Sequence, residues 1–344
     1  HGNPEFGGDR MSGIAIYTGS TVIYWSGIII ALGVAACFAL SYALYTSYVG
    51  TGRALWVLLP LSVLFSVLFC RLIHWYCHAE QYAGLWGALT DYSGGGYCLP
   101  GALFGALLAA FLVGRLGFTD NVPRMLDAVA PGAALCVAFI RLSALFNNSC
   151  RGKIAVKTPA LQHLPLASPV YVNGAADYRF ATFFVEFLVM LALCFVLIRF
   201  YFARRSIRMR GGSSSDGHTA RFFLLIFSVT ELILDSTRYD SSYMHFNGFV
   251  SIVQMIAAIS VLVLLIYYSR LSIRVNGRGA KHWGMWGVYF LSLVCVGVSE
   301  YLVQRHGDWY GRCYFAMFIG VTVMAASVYS MYLSCCEKKH WKEY

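Results

Sequence analysis

Long apolar segments separated by short polar stretches dominate this chain. Each segment is continuous, which is typical of a helix crossing a bilayer, because about 20 apolar residues span the hydrocarbon core. Transmembrane strands would instead give alternating stretches of about ten residues. The segments lie near Val22–Tyr45, Ala54–Tyr76, Leu99–Phe118, Met125–Asn147, Phe180–Phe202, Thr219–Asp235, Phe246–Ser269, Trp283–Val303 and Cys313–Cys335. The pattern therefore predicts an all-α polytopic membrane protein with about nine transmembrane helices.

Composition and charge agree with this fold class. Of the 344 residues, 58% are hydrophobic and 12% are charged, whereas a soluble domain carries about 25% charged residues. The net charge of +10 does not indicate a nucleic-acid partner, because the basic residues lie at the ends of particular apolar segments. They follow the fifth and seventh segments and fill the C-terminal tail, which predicts a cytoplasmic C-terminus and an external N-terminus.

Ionisable residues inside apolar segments are the first functional candidates, because burying them in lipid is costly. They are Arg71, Arg141, Glu186, Glu231, Asp235 and Arg238, with Glu300 as a minor candidate. Glu231, Asp235 and Arg238 share one helical face and should point into the bundle. They form either a buried ion-pair ladder or a polar cavity faced by Arg141, whose planar guanidinium suits a phosphate or carboxylate.

A polar run follows Arg141. By helical spacing, Arg141, Leu145 and Asn148 share a face, which would place the amides of Asn147 and Asn148 above the guanidinium. Gly152 is expected to end the helix. This region is interpreted either as a lipid-headgroup site or as a helix end solvated by interfacial water.

Metal and cofactor chemistry have little support. His74, Cys77, His78 and Glu80 form a small cluster after the second segment, and metal binding there is conceivable. Interfacial histidines and aromatic residues are the more common explanation. The 11 cysteines contain no CxxC pair, so we expect neither a metal nor another cofactor.

Several blocks between Tyr24 and Leu271 occur in a recognisable order. They are IYWSGIIIALG, SGGGYCLPGALFG, APGAALCVAFIRLSALFNNSCRGK, RFATFFVEFL, TELILDSTRYD and NGFVSIVQMI. Together they resemble the motifs of the prolipoprotein diacylglyceryl transferases of the bacterial inner membrane. The resemblance implies a seven-helix transferase-like domain in residues 11–275, followed by two extra helices and a basic tail in 276–344. His1–Arg10, which precede the first methionine, are interpreted as an expression or translation-start remnant.

The resemblance also implies roles for individual residues. Arg141, Asp235 and Arg238 are predicted to be catalytic. The predicted substrate-binding residues are Arg71, Asn147, Asn148, Gly152, Glu186, Glu231 and Asp240. The implied partners are a phospholipid such as phosphatidylglycerol and a lipoprotein precursor peptide, in the inner (plasma) membrane.

The chain departs from the family pattern at positions that matter for the chemistry. Pro100 replaces the histidine of the second block, and Ala144 and Ser149 replace an asparagine and a glutamate of the signature. Ser26 replaces a tyrosine, and Glu231 stands where the pattern has an arginine. The family reaction needs positive charge for the phosphate and a base for the thiol. The replaced arginine and histidine are groups of these two kinds, so their loss argues against the standard reaction.

Three functions remain open. The first is a divergent transferase that acts on a different lipid headgroup or acceptor. The second is a catalytically inactive homologue that binds phospholipid or a lipoprotein-like peptide. The third is a small transporter with buried acid–arginine pairs, which ranks last because the internal repeats typical of transporters are not evident.

Overall fold

The computed structural model describes residues 13–18, 21–90, 98–147, 149–172, 175–209, 216–244, 247–277, 279–306 and 309–341. Helices dominate these residues. They are α1 (Trp25–Val49), α2 (Arg53–Cys77), α3 (Leu85–Thr90), α4 (Leu99–Arg115), α5 (Val122–Leu142), α6 (Pro159–Gln162), α7 (Thr182–Met209), α8 (His218–Thr237), α9 (Ile252–Asn276), α10 (Ala280–Arg305) and α11 (Tyr310–Trp341). Short 3-10 turns cover Ala79–Gln81 and Ser143–Phe146.

Each apolar segment predicted from the sequence contains a helix in the structure. Seven of the described helices are long and apolar enough to cross a membrane, namely α1, α2, α5, α7, α9, α10 and α11. The other two segments correspond to α4, with 17 residues, and α8, with 20 residues and several charges. The chain is therefore an all-α, multi-pass membrane protein, as the pattern predicted.

Three two-stranded antiparallel hairpins lie between the helices and were not predicted. They pair β1 (Ile14–Thr18) with β2 (Thr21–Tyr24), β3 (Ala167–Val172) with β4 (Ala175–Phe180), and β5 (Tyr243–Met244) with β6 (Asn247–Ser251). The last hairpin shortens the seventh predicted segment. Helix α9 begins only after Ser251, whose side chain and that of Gln254 form a reciprocal capping box.

Helices α2 and α4 pack in backbone contact through two glycines. A Cβ added at Gly101 would lie 2.6 Å from the backbone nitrogen of Cys70, and one at Gly105 would lie 2.4 Å from the carbonyl carbon of Phe65. Small residues four positions apart are what such close packing in membranes requires. This contact fixes α4 against α2.

Polar side chains concentrate at one end of the bundle. The carboxyl ends of α5, α8 and α10 meet the amino ends of α7, α9 and α11 there, as shown by ion pairs and hydrogen bonds that join these helices. We call this the ion-pair end. At the opposite end, Asp127 accepts hydrogen bonds from the backbone nitrogens of Gly217 and Ala220 and so caps the start of α8.

Candidate functional site

Arg141 lies in the last turn of α5 between two carboxylates. Its Nε is 2.5 Å from Glu186 Oε2, and its Nη2 is 2.8 and 2.9 Å from the two carboxylate oxygens of Glu231. Its Nη1 lies 3.3 Å from Cys150 Sγ. Only 4% of the Arg141 side chain and 1% of each carboxylate side chain are exposed. These contacts tie α5, α7 and α8 together by an ion-pair ladder.

Arg238 stands just beyond the end of α8 and is more open. Its Nε lies 3.1 Å from Asp240 Oδ1 and its Nη1 lies 3.5 Å from Asp235 Oδ1, with 12% of the side chain exposed. Ser251 Oγ donates to the other oxygen of Asp235 at 2.5 Å. Glu231, Asp235 and Arg238 therefore do not form a single set of contacts. Glu231 pairs with Arg141, whereas Asp235 pairs with Arg238.

Cys150 and Asp240 connect the two guanidinium groups. The backbone nitrogen of Cys150 donates to Asp240 Oδ2 at 2.8 Å, and the other oxygen of Asp240 contacts Arg238. Burial raises the pKa of the Cys150 thiol above its usual value, although Arg238 and Arg141 act in the opposite direction. Burial also acts to raise the pKa of Asp240, but Arg238 outweighs it and lowers that pKa.

The expected role of Gly152 as a helix terminator is wrong. Helix α5 ends at Leu142, and a 3-10 turn leads into the extended backbone of Asn147. Gly152 instead forms an antiparallel bridge with Arg238, and its nitrogen donates to Phe180 O at 2.7 Å. A Cβ there would lie 2.9 Å from both Phe180 Cβ and Phe180 O. Gly152 thus permits the close approach of Phe180, while its own backbone pairs with that of Arg238.

The polar run after Arg141 is not a continuation of that helical face. Leu145 belongs to the 3-10 turn and is 51% exposed, whereas Arg141 is buried. Asn147 is exposed, and its Oδ1 accepts hydrogen bonds from the backbone nitrogen and hydroxyl of Ser149. Asn148, also predicted to bind substrate, lies outside the described residues.

Arg71 is buried within a separate set of contacts. Its Nε donates to Ala88 O at 2.9 Å, and its guanidinium lies 5.8 Å from the centre of the Tyr82 ring. His74 stacks on His78 at 4.4 Å and meets the Tyr82 hydroxyl at 3.2 Å. Among the described residues, no group of three His, Cys, Asp or Glu side chains is arranged to hold a metal ion.

A second polar group at this end includes residues that the sequence analysis missed. Lys153 Nζ lies 2.5 Å from Tyr243 Oη and 3.0 Å from Gln304 Oε1. Gln304 Nε2 in turn donates to Glu300 Oε1 at 2.8 Å. Glu300 is 3% exposed, and its Oε2 has no hydrogen-bond partner in the described part of the chain. Lys153 is the last residue of the block APGAALCVAFIRLSALFNNSCRGK, and its place in that block was the available signal.

Carboxylates outnumber guanidinium groups in the network formed by Arg141 and Arg238. Two guanidinium groups, on Arg141 and Arg238, face the carboxylates of Glu186, Glu231, Asp235 and Asp240. Lys153 adds a third cationic side chain, although burial lowers its pKa. A phosphate entering this end would need Arg238 or Lys153 as its partner, because Arg141 is already bracketed by two carboxylates.

Comparisons with known proteins show what the chain is similar to. The family model for prolipoprotein diacylglyceryl transferase matches residues 13–269. The phosphatidylglycerol–prolipoprotein diacylglyceryl transferase of Clostridium novyi is 24% identical over 252 residues, covering 71% of this chain and 91% of the relative. That of Clostridium kluyveri is 25% identical over 274 residues, covering 79% and 99%. That of Streptococcus agalactiae is 29% identical over 217 residues, covering 61% and 76%.

Proposed function

The chain belongs to the prolipoprotein diacylglyceryl transferase family, and from this premise we propose that it transfers a diacylglyceryl group from a phosphatidylglycerol-like lipid to a cysteine thiol of a lipoprotein precursor. The observation that carries the proposal is the linkage of Arg141 and Arg238 through Cys150 and Asp240 at one end of the bundle. Both arginines match the family motifs, and Arg238 is the more exposed of the two.

The proposed reaction forms a carbon–sulfur bond, breaks a carbon–oxygen bond and moves the thiol proton to a carboxylate. The acceptor sulfur attacks the carbon of the diacylated glycerol that is bonded to the phosphate oxygen. The bond between that carbon and that oxygen breaks, and glycerol phosphate leaves with the electron pair. Arg238 balances the charge of the leaving phosphate, as preorganised cations do in other transfers. Asp235 accepts the thiol proton through Oδ1, which lies 3.5 Å from Arg238 Nη1, while the Ser251 hydroxyl donates to Oδ2.

The remaining site residues have supporting roles in this proposal. Arg141 was predicted to be catalytic, but because Glu186 and Glu231 bracket its guanidinium, we propose for it a positioning role that holds α5, α7 and α8 together beside Arg238. The predicted substrate-binding set is Arg71, Asn147, Asn148, Gly152, Glu186, Glu231 and Asp240. No cofactor is required for the transfer as written.

The proposal includes the organisation of the chain in the membrane. Residues 11–275 form the transferase-like domain, and residues 276–344 add α10, α11 and a basic tail. The ion-pair end faces outward from the inner membrane, and the C-terminus lies in the cytoplasm, in accord with the distribution of basic residues. The hydrogen bond between Lys153 and Gln304 supports a contact between residues 11–275 and residues 276–344 near the proposed site.

One observation favours a second candidate, a catalytically inactive homologue that binds phospholipid or a lipoprotein-like peptide. Glu231 stands where the family pattern has an arginine and neutralises Arg141 instead of adding positive charge. The acids of the ion-pair end also outnumber its guanidinium groups. Such a site would hold a lipid less firmly at its phosphate and would stabilise a departing phosphate poorly.

A direct assay separates the two candidates. The full chain, purified in detergent, is supplied with phosphatidylglycerol and a lipobox peptide, and the peptide mass is measured. A mass increase on the cysteine in the wild type, lost in Arg238→Gln and retained in Arg312→Gln, supports the transferase. Arg312 is an exposed guanidinium over Trp309 and serves as the matched control. Lipid binding without product from any anionic phospholipid supports the inactive homologue.

A further inference from the structure

The polar group around Lys153 joins the region matched by the family model to α10. Lys153 Nζ donates to Tyr243 Oη at 2.5 Å and to Gln304 Oε1 at 3.0 Å. The Tyr243 hydroxyl in turn donates to Gln304 Oε1 at 3.3 Å. Lys153 and Tyr243 lie within residues 13–269, whereas Gln304 and Glu300 lie beyond them on α10. The family motifs therefore do not account for these two side chains of α10.

The backbone places Lys153 beside Arg238. The Lys153 nitrogen donates to Thr237 O at 2.7 Å, and the preceding residue, Gly152, forms an antiparallel bridge with Arg238. Burial lowers the pKa of Lys153, and nearby carboxylates, among them Asp235, act in the opposite direction. Asp235 is also the residue that pairs with Arg238. A phosphate held by Arg238 would therefore have a second cation close to it.

One N–H of the Lys153 ammonium remains for a ligand. An ammonium carries three donors, and Tyr243 and Gln304 accept from two of them. Within the described residues, no ion pair joins Lys153 directly to a carboxylate. Lys153 is half-buried, so its charge is neither fully solvated nor neutralised by a direct partner. A phosphate oxygen would supply both the third acceptor and the opposite charge.

Glu300 fixes the orientation of the Gln304 amide. Gln304 Nε2 donates to Glu300 Oε1 at 2.8 Å. This leaves the amide oxygen to accept from Lys153 and Tyr243. An ionised carboxylate only accepts hydrogen bonds, so the reversed amide would set its oxygen against Glu300 and its NH₂ group against the ammonium. The carboxylate therefore selects the amide orientation in which Lys153 has an acceptor.

Burial makes the Glu300 carboxylate costly. The residue is 3% exposed, and its Oε2 has no hydrogen-bond partner in the part of the chain that the structure describes. A buried polar atom without a partner destabilises the fold. A purely structural contact with Gln304 needs only one acceptor oxygen, which an uncharged side chain would provide without that cost. Stabilisation of the fold alone therefore does not account for a carboxylate at this position.

Other contacts hold α10 and α11 in the same region. The ring of Tyr301 on α10 meets the ring of Phe249 on β6 edge to face, with 5.6 Å between their centres. The hydroxyl of Tyr314 on α11 donates to Ser236 O in the last turn of α8 at 3.2 Å. These contacts fix both helices at the end of the bundle that carries Arg238.

We propose that Lys153 is a second phosphate-binding group for the anionic phospholipid and that Glu300 is its positioning residue, acting through Gln304. The proposal rests on the transferase function proposed above, and it gives α10 a part in recognising the lipid headgroup. Lys153 donates its third N–H to a phosphate oxygen, while Arg238 balances the charge of the phosphate. Because the contact forms when the lipid binds and persists through the reaction, it lowers the KM for the lipid without raising kcat.

Steady-state kinetics of the full chain test the positioning role. Transfer from phosphatidylglycerol to a lipobox peptide is measured for the wild type and for two variants of Glu300. We expect Glu300→Leu to raise the KM for the lipid about tenfold with kcat nearly unchanged, as expected for a weakened hydrogen bond to a charged group. Glu300→Gln can still accept from Gln304 but can also donate to it, so it should raise this KM about threefold.

Two features of the design separate positioning from a general effect on the fold. Ser292→Ala is the matched control and should leave KM unchanged, because Ser292 is also buried on α10 but donates to Val288 O of the same helix. Glu300→Gln preserves the size of the side chain and decides the test if Glu300→Leu does not fold.

Methylation of Lys153 gives a readout that does not depend on transfer. The full chain, in a detergent without phosphate, is treated with formaldehyde and a borane reductant, with and without phosphatidylglycerol. The modified fraction of Lys153 is measured by peptide mass spectrometry. We expect the lipid to protect Lys153 several-fold in the wild type and much less in Glu300→Leu.

The two readouts distinguish failure of this proposal from failure of the transferase function. Lipid protection of Lys153 that is lost in Glu300→Leu, in a wild type that forms no product, supports the positioning role and rejects the transferase. A wild-type KM and wild-type protection in both Glu300 variants of an active chain overturn the positioning role and leave the transferase intact. Absence of lipid protection at Lys153 in the wild type also overturns the proposal.

Discussion

Glu231 places both of its carboxylate oxygens within hydrogen-bond distance of Arg141 Nη2, at 2.8 and 2.9 Å. With Glu186 on the other side of the guanidinium, Arg141 joins three helices near the site. A buried charge that loses its partner is far more costly than the intact pair is stabilising. Removing Arg141 should therefore cost more than removing one of its two carboxylate partners.

Arg141→Gln should destabilise the fold more than Glu231→Gln. The arginine variant leaves the Glu186 and Glu231 carboxylates without their shared cation, a loss of about 3–5 kcal/mol in unfolding free energy. The glutamate variant leaves Arg141 paired with Glu186 and should cost less. Thermal unfolding in detergent measures both, with Arg312→Gln as an exposed control. A smaller shift for Arg141→Gln than for Glu231→Gln would contradict the ladder.

Arg238→Gln should reduce diacylglyceryl transfer about 100- to 1,000-fold, which is the usual loss when one preorganised charge stabiliser is removed. The melting temperature should change less than in Arg141→Gln, because Arg238 is more exposed and lies beyond the end of α8. Rates with the lipobox peptide and unfolding curves are compared for the same preparations. An unchanged rate would remove Arg238 from the proposed reaction.

The lowered pKa of Asp240 predicts a pH dependence of stability. A carboxyl group whose pKa is lower in the folded chain than its unfolded value of about 3.9 stabilises the fold above that value. Its contribution disappears as the pH falls through the folded pKa. Wild type should therefore be more stable than Asp240→Asn near neutral pH, and the difference should shrink below about pH 4. Melting temperatures measured across this range test it, and a constant difference would count against the Arg238–Asp240 pairing.

Gly105→Ala should destabilise the α2–α4 contact, because the added Cβ would lie 2.4 Å from the backbone of Phe65. Overpacking of this kind costs about 1–3 kcal/mol. Gly287→Ala in α10 is the matched control, since nothing lies within 4 Å of its added Cβ. A melting temperature that falls only in Gly105→Ala supports the close packing, and equal effects of the two substitutions would argue against it.

Lys153 and Gln304 should show energetic coupling. Their side chains are 3.0 Å apart although 151 positions separate them. Lys153→Met, Gln304→Leu and the double variant form a thermodynamic cycle, and contacting residues typically couple by about 0.5–3 kcal/mol. Denaturant unfolding of the four proteins gives the coupling. If the free-energy changes of the two single variants add up to that of the double variant, the hydrogen bond does not couple α10 to the loop that carries Lys153.

The helices could be predicted because a bilayer imposes long apolar runs, and each of these runs contains a helix in the structure. The buried positions of Arg141, Glu186 and Glu231 also followed from the cost of charge in lipid. Their pairing depends on how α5, α7 and α8 pack, which the spacing within one helix does not encode. For the same reason, the bond between Lys153 and Gln304 could not be read from either segment.

Local chemistry explains the errors at helix ends. The extension of α5 to Gly152 followed from treating that glycine as a terminator, whereas tertiary pairing with Arg238 decides its conformation. The late start of α9 was available in the sequence, because Ser251 and Gln254 have the spacing of a capping box. The sequence also carries a signal for two of the hairpins, because Gly19-Ser20 and Asn173-Gly174 separate short apolar runs and are typical of two-residue hairpin turns.

The hydrogen bond from Lys153 to Gln304 joins α10, which lies outside the residues matched by the family model, to the loop that carries Gly152. Substitutions on α10 would alter the polarity around Lys153 while leaving the motif-bearing loop intact. A change at Gln304 would therefore reach Lys153 without altering any residue of the region that the family model matches.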